Sequence, residues 1–244
     1  MSSVWFSAAP FRACTLAPQH WISGPHWCML TDNAESISMT PPDKAVYLLV
    51  FDGFADWEPA HAVAELRREG QYRVETVGLT AAPVLSMGGI RILPSTTVRD
   101  VNAADVALFI LPGGDRWESG QVEPELAALL RELDAQHVPI AAICAATTVI
   151  IRAGLLRGRL HTSNGLQYLR EHVTGYGAAE TYVDAPAVRD RGLITASGLG
   201  DVEFAREIFE ELGVMTADDR AVWASMFRSA RLPAAQVDAG PIVH

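Results

Sequence analysis

The feature that most constrains this chain is its alternation of short, almost wholly apolar runs with helical patterns. "AVYLLVF" (45–51), "VALFILP" (106–112) and "VPIAAIC" (138–144) are rich in β-branched and small apolar residues. Each is strand-length and too short for a free-standing helix. Strands covered by helices on both faces read as continuous apolar runs rather than alternating ones. Between and after them lie helical patterns at 57–69, 123–136, 164–172 and 200–212. The segment from Glu123 to Gln136 sets Leu126, Leu129, Leu130 and Leu133 on one helical stripe. Further strands are predicted at 72–79 and, turning at Asp190–Gly192, within 180–197. "PVLSMGGIRILPSTTV" (83–98) reads as a hairpin about its Gly-Gly. A last helix is expected to start at Thr216, with Asp219 completing a capping box. Strand–helix alternation of this kind implies an α/β fold, a three-layer sandwich with a mostly parallel central sheet. One domain is expected over 44–230.

The ends of the chain differ. Residues 1–43, rich in Ser, Pro, Trp and His, show neither period and are expected to be a disordered extension that adds nothing to the fold. Met39 offers an alternative translation start. Cys14, His20, His26 and Cys28 match no common zinc spacing. A flexible tail is expected over 231–244. With 29 acidic against 19 basic side chains and a formal charge of −10, the protein would repel nucleic acid. No apolar stretch reaches membrane-spanning length. Three cysteines, two of them in the first 43 residues, suit a reducing cytoplasm rather than a disulfide framework. No metal and no cofactor are expected.

In open parallel sheets, ligands gather beyond the carboxyl ends of the strands. After the first strand stands "DGFADWEP", with Asp52, Asp56, Trp57 and Glu58; after "VALFI" stands "LPGGDRW", with Gly113 and Gly114; after "PIAAI" comes Cys144, opening a helix. Each has a plain structural reading: turn glycines, helix-start carboxylates, a small buried thiol. Taken together they form a site. A cysteine at a helix N-terminus is expected to have a lowered pKa. The amides of Gly113, Gly114 and Ala145 are candidate donors to an oxyanion. Glu58, if it reaches the sulfur, must do so protonated or by sharing a proton, because two charges there would raise both pKa values.

"LPGG" after one strand, "AAICAA" after the next and the glutamate after the first resemble the ThiJ/PfpI superfamily over roughly Lys44 to Leu212. That group has a flavodoxin-like, class I glutamine amidotransferase-like fold. It includes the Parkinsonism-associated deglycase, chaperone-like proteins, PfpI-type proteases and isonitrile hydratases. The resemblance implies that Cys144 is a reactive nucleophile-elbow cysteine with Glu58 as its acidic partner, and that the protein is a homodimer. Departures narrow the activity. Protease-like members carry histidine where this chain has Ala145, and deglycase-like members carry one where it has Asn164. The late His-x-Glu pair of glutamine amidotransferases does not occur. Without an imidazole, peptidase and glutaminase chemistry are not expected. His161, three residues before Asn164, would face the other way and serve the core. His61 is expected at the surface or a dimer interface, and Asp56 and Asp115 as solvated or capping residues. Trp57, Trp117 and Asn164 are expected around the pocket. The reading is a cysteine-dependent enzyme of amidotransferase-like, hydrolase, hydratase or glyoxalase type acting on a small electrophile. The competing reading is a non-catalytic stress protein whose cysteine is oxidised.

Overall fold

A computed structural model describes residues 43–232 of the chain. The expectations for residues 1–42 and 233–244, including the Cys14–Cys28 quartet, lie outside the described residues. The elements run β1 (Ala45–Val50), α1 (Ala60–Arg68), β2 (Val74–Gly78), β3 (Val84–Leu85), β4 (Arg91–Ile92), β5 (Thr96–Thr97) and β6 (Val106–Leu111). They continue with α2 (Pro124–Ala135), β7 (Ile140–Ile143), α3 (Thr147–Arg152), α4 (Leu166–His172), β8 (Ala187–Asp190), β9 (Leu193–Ala196), α5 (Asp201–Glu211) and α6 (Ala217–Ser229).

Seven strands form the central sheet in the order β5-β2-β1-β6-β7-β9-β8, and only the β8–β9 pair is antiparallel. The sheet is therefore mostly parallel with flanking helices, as the apolar runs require. Leu48 pairs with Thr76 on one side and Ile110 on the other, so β1 is interior and its Val46, Leu49 and Val50 are fully buried. The chain leaves β1 towards β2, then returns to place β6 on β1's other side. That reversal opens a crevice at the strands' carboxyl ends.

The helices dock as their patterns dictate. Pro124 occupies the first turn of α2, where a missing N–H costs nothing. Its leucines 126, 129, 130 and 133 are buried, each contributing roughly 1.5–3 kcal/mol. On α6, Thr216 accepts from the Asp219 amide while its hydroxyl donates to the Asp219 carboxylate at 2.7 Å. Trp223 of α6 is buried edge-on against Phe209 of α5 and donates to Glu65 of α1. His61 is half-buried, 3.5 Å from Asp201 and against the Phe227 ring, so it has intramolecular partners. His161 is a core residue, 1% exposed, bonded to the Tyr176 hydroxyl.

Three expectations change. The helix expected from residue 57 begins only at Ala60, and Phe54–Pro59 form the loop that delivers Glu58. The 83–98 segment is a hairpin only between β3 and β4. Thr96–Thr97 instead adds β5 to the edge of the main sheet beside β2, a non-local pairing. Asp56 is not merely solvated: it accepts from Ser86 Oγ at 2.5 Å and from the Gly88 amide, tying that hairpin to the β1 loop.

Candidate active site

Cys144 lies one residue past β7, on a backbone with φ of +59°. A side chain in that left-handed region costs on the order of 1 kcal/mol or more and persists only when neighbours enforce it. They do: β7 is paired on both sides, by β6 and β9. Beyond Cys144 the chain makes a 3-10 turn before α3. The Thr147 hydroxyl donates to the Cys144 carbonyl at 2.7 Å and meets Ser163 Oγ at the same distance. The result is a sharp elbow that presents the sulfur at the strand end.

Glu58, 1% exposed, stands against that sulfur. Its Oε2 accepts the Gly113 amide at 2.5 Å. Asn164 bridges the other side: its Nδ2 donates to Sγ at 3.3 Å and its Oδ1 accepts the Gly198 amide at 2.9 Å. The Ala145 amide also donates to the sulfur. Burial pushes the Glu58 carboxyl up to about 7, against the pull of the Gly113 amide and the thiol. Burial, then the Glu58 charge, push the Cys144 thiol up to about 11, although the Asn164 and Ala145 donors pull it down. The lowered thiol pKa expected from a helix N-terminus is thus reversed. The helix is only six residues long and starts three residues after Cys144, whereas desolvation and a neighbouring carboxylate act directly on the sulfur. The resting pair holds a proton between two acids.

The glycines also have a different role. Gly113's amide is committed to Glu58 rather than open to an oxyanion. A Cβ there would lie 2.8 Å from Cys144 Cβ and 2.8 Å from Glu58 Oε2, so a bare Cα lets the pair form. Gly114, at φ +154°, leaves room for the Phe51 ring. Trp117 does not reach the pocket. It is fully buried, donates to the Pro112 carbonyl and packs edge-on against Phe51, which makes it core. Asp115 is exposed.

A cleft of about 640 Å³ opens over the sulfur, bounded by Trp57, Ser163, Asn164, Tyr182, Pro186 and Leu199 among others. Gly198 was not foreseen. A Cβ there would sit 2.9 Å from Cys144 Sγ, and the residue lies just past β9, where the strand-end rule would have found it.

Residues 44–211 match the DJ-1/PfpI family. Uncharacterized protease YoaZ of Bacillus subtilis is 35% identical over 188 residues, 74% of this chain and 89% of that protein. Deglycase TK1284 of Thermococcus kodakarensis is 26% identical, over 64% of this chain and 92% of its own. The crystal structure of DJ-1 superfamily protein Atu0886 of Agrobacterium tumefaciens superposes with a TM-score of 0.70 at 30% identity, covering 77% of this chain and 100% of that one.

Proposed function

Because this chain belongs to the DJ-1/PfpI family, we propose that it uses Cys144 as a nucleophile on a small electrophilic carbon, a carbonyl above all, with Glu58 moving the proton. One observation carries the reading. The elbow sulfur contacts the buried Glu58 carboxyl and the Asn164 amide at the floor of an open cleft. In the resting state the thiol keeps its proton, since its pKa is held up at about 11. As sulfur attacks, a C–S bond forms while the C=O π bond breaks. Glu58, with a pKa raised to about 7, can take the S–H proton and return it to the carbonyl oxygen, giving a hemithioacetal. The tuned carboxyl therefore suits both halves of the transfer.

Peptide or glutamine cleavage fits poorly. Ala145 and Asn164 stand where protease-like and deglycase-like members of the family carry histidine, and an amide cannot carry a proton at neutral pH. A free thiol at work suits a reducing compartment such as the cytoplasm. A homodimer is part of the same proposal, supported by the apolar Leu85, Met87 and Ile90 exposed on the β3–β4 hairpin. Sedimentation at several concentrations tests it, and a monomer throughout would refute it. The enzymatic reading is tested with phenylglyoxal, a 2-oxoaldehyde. Cys144→Ser should abolish turnover, and Glu58→Gln should slow it roughly 10²–10⁴-fold, the usual worth of a general acid–base. Undiminished turnover by Glu58→Gln would remove Glu58 from the mechanism.

A further inference from the structure

The charge pattern of the cleft points beyond the nucleophile to what the nucleophile can meet. Among the described residues that line it, the groups able to carry charge are Glu58, Cys144, Tyr182 and Asp184, all acids, with no Lys, Arg or His. Asp184 is exposed at the rim. Behind Glu58, Asp201 adds a further negative charge felt by that carboxyl, and His61 there is 3.5 Å from Asp201. Behind Tyr182 lies His161, 1% exposed, bonded to the Tyr176 hydroxyl and held below the usual imidazole range by burial, so it brings no positive charge to the lining. Every ionisation open to the cleft makes it more negative. Two of its walls are aromatic, Trp57 with half its surface exposed and Tyr182, and aromatic faces attract cations.

We propose that the cleft sorts electrophiles by charge, admitting neutral and cationic carbonyl compounds and holding off anionic ones, with Asp184 as the specificity-determining residue at the rim. The inference rests on the reading of Cys144 as a nucleophile facing this cleft. A carboxylate or phosphate on the substrate would be brought among like charges with no counter-charge on the lining, and would lose hydration in the process. A neutral dicarbonyl escapes that penalty, and an ammonium or guanidinium group on the substrate would find a counter-charge in Asp184 and an aromatic face in Trp57 or Tyr182.

The test reads the cleft without requiring turnover. Methanethiosulfonates bearing a trimethylammonium or a sulfonate group react with a thiol by one step. Sulfur attacks the sulfenyl sulfur, an S–S bond forms, methanesulfinate leaves with the electron pair, and the thiol proton passes to solvent. Labelling of the full chain is followed at the Cys144 peptide by mass spectrometry and compared with 2-mercaptoethanol. The cationic-to-anionic rate ratio at Cys144 should exceed that of the small thiol by about 5- to 10-fold at low salt, and should shrink in about 0.5 M salt. Asp184→Asn, an exposed change, should lower the ratio about 2- to 3-fold. A ratio equal to or below that of the small thiol overturns the proposal while leaving the nucleophile reading intact. A high ratio untouched by Asp184→Asn overturns the role of Asp184. Silence of Cys144 towards both reagents overturns the nucleophile reading and this inference with it. Phenylglyoxals carrying para-trimethylammonium or para-carboxylate groups should rank in the same order if turnover follows the same field.

Discussion

Glu58→Gln keeps the size of the side chain and its ability to accept from Gly113, but removes the one carboxyl that the fold buries beside the thiol. A carboxyl whose folded pKa is raised binds its proton more tightly in the native state than in the unfolded one. Its stabilising effect is complete below the ordinary value near 4.5 and is lost as pH rises through about 7. Ionising Glu58 in place costs on the order of 3 kcal/mol from that difference, at 1.36 kcal/mol per pH unit. Glutamine carries no such cost. Relative to wild type, Glu58→Gln should therefore gain about 2–3 kcal/mol of stability between about pH 5 and about pH 8. Urea unfolding followed at both pH values gives the number directly. The same substitution removes the charge that helps hold Cys144 up at about 11, so the midpoint of pH-dependent alkylation by iodoacetamide should fall. If the pH dependence of stability is the same in both proteins, Glu58 does not titrate in the neutral range and the shared-proton argument is refuted.

Gly113→Ala should cost about 1–3 kcal/mol as overpacking, because its Cβ meets the backbone-anchored Cys144 Cβ at 2.8 Å. Gly198→Ala meets the Cys144 sulfur at 2.9 Å and the Cys144 Cβ only at 3.2 Å, a less severe clash with anchored atoms, so it should melt closer to wild type yet slow alkylation of Cys144. The reverse order in melting would contradict the geometry. Asn164→His should be tolerated at this exposed position and should add an ionisation near pH ~6.5 to the thiol reactivity profile, read most clearly in a Glu58→Gln background where the Glu58 step is gone; a profile the same with and without the histidine would show that residue 164 does not act on the sulfur. Thr216→Ala, which removes the cap of α6, should cost about 1 kcal/mol by urea unfolding without changing alkylation kinetics.

The architecture was legible because its signals are local. "AVYLLVF" and "VALFILP" declare burial on both faces within a few residues, and the α2 leucine stripe names its own inner face. Cys144 and Glu58 could be picked out from the strand ends and Asn164 from the family resemblance, and the structure brings all three together. What escaped depends on distant partners. Trp117 follows "PGGDR" directly, yet its ring turns into the core to meet Phe51 and the Pro112 carbonyl. The sign of the thiol shift depended on how deeply the sulfur is buried, which no spacing in the sequence encodes. Gly113 read as an oxyanion donor because the sequence offers an amide without showing that Glu58 claims it. Thr96–Thr97 joins β2 as an edge strand through a pairing that two residues cannot advertise.

The parallel sheet also imposes a timetable on the chemistry. Cys144 is flanked by β6, which precedes it in the chain, and by β9, which follows about fifty residues later. Its amide partner at Asn164 is oriented by Gly198, still further along. During synthesis from the N-terminus, Glu58, Gly113 and Cys144 are made well before the segment that closes their surroundings. A half-made chain thus carries an ordinary, solvated thiol. The tuned one comes into being only when β9 slots between β7 and β8, so assembly of the last strands is itself the step that sets the character of this thiol.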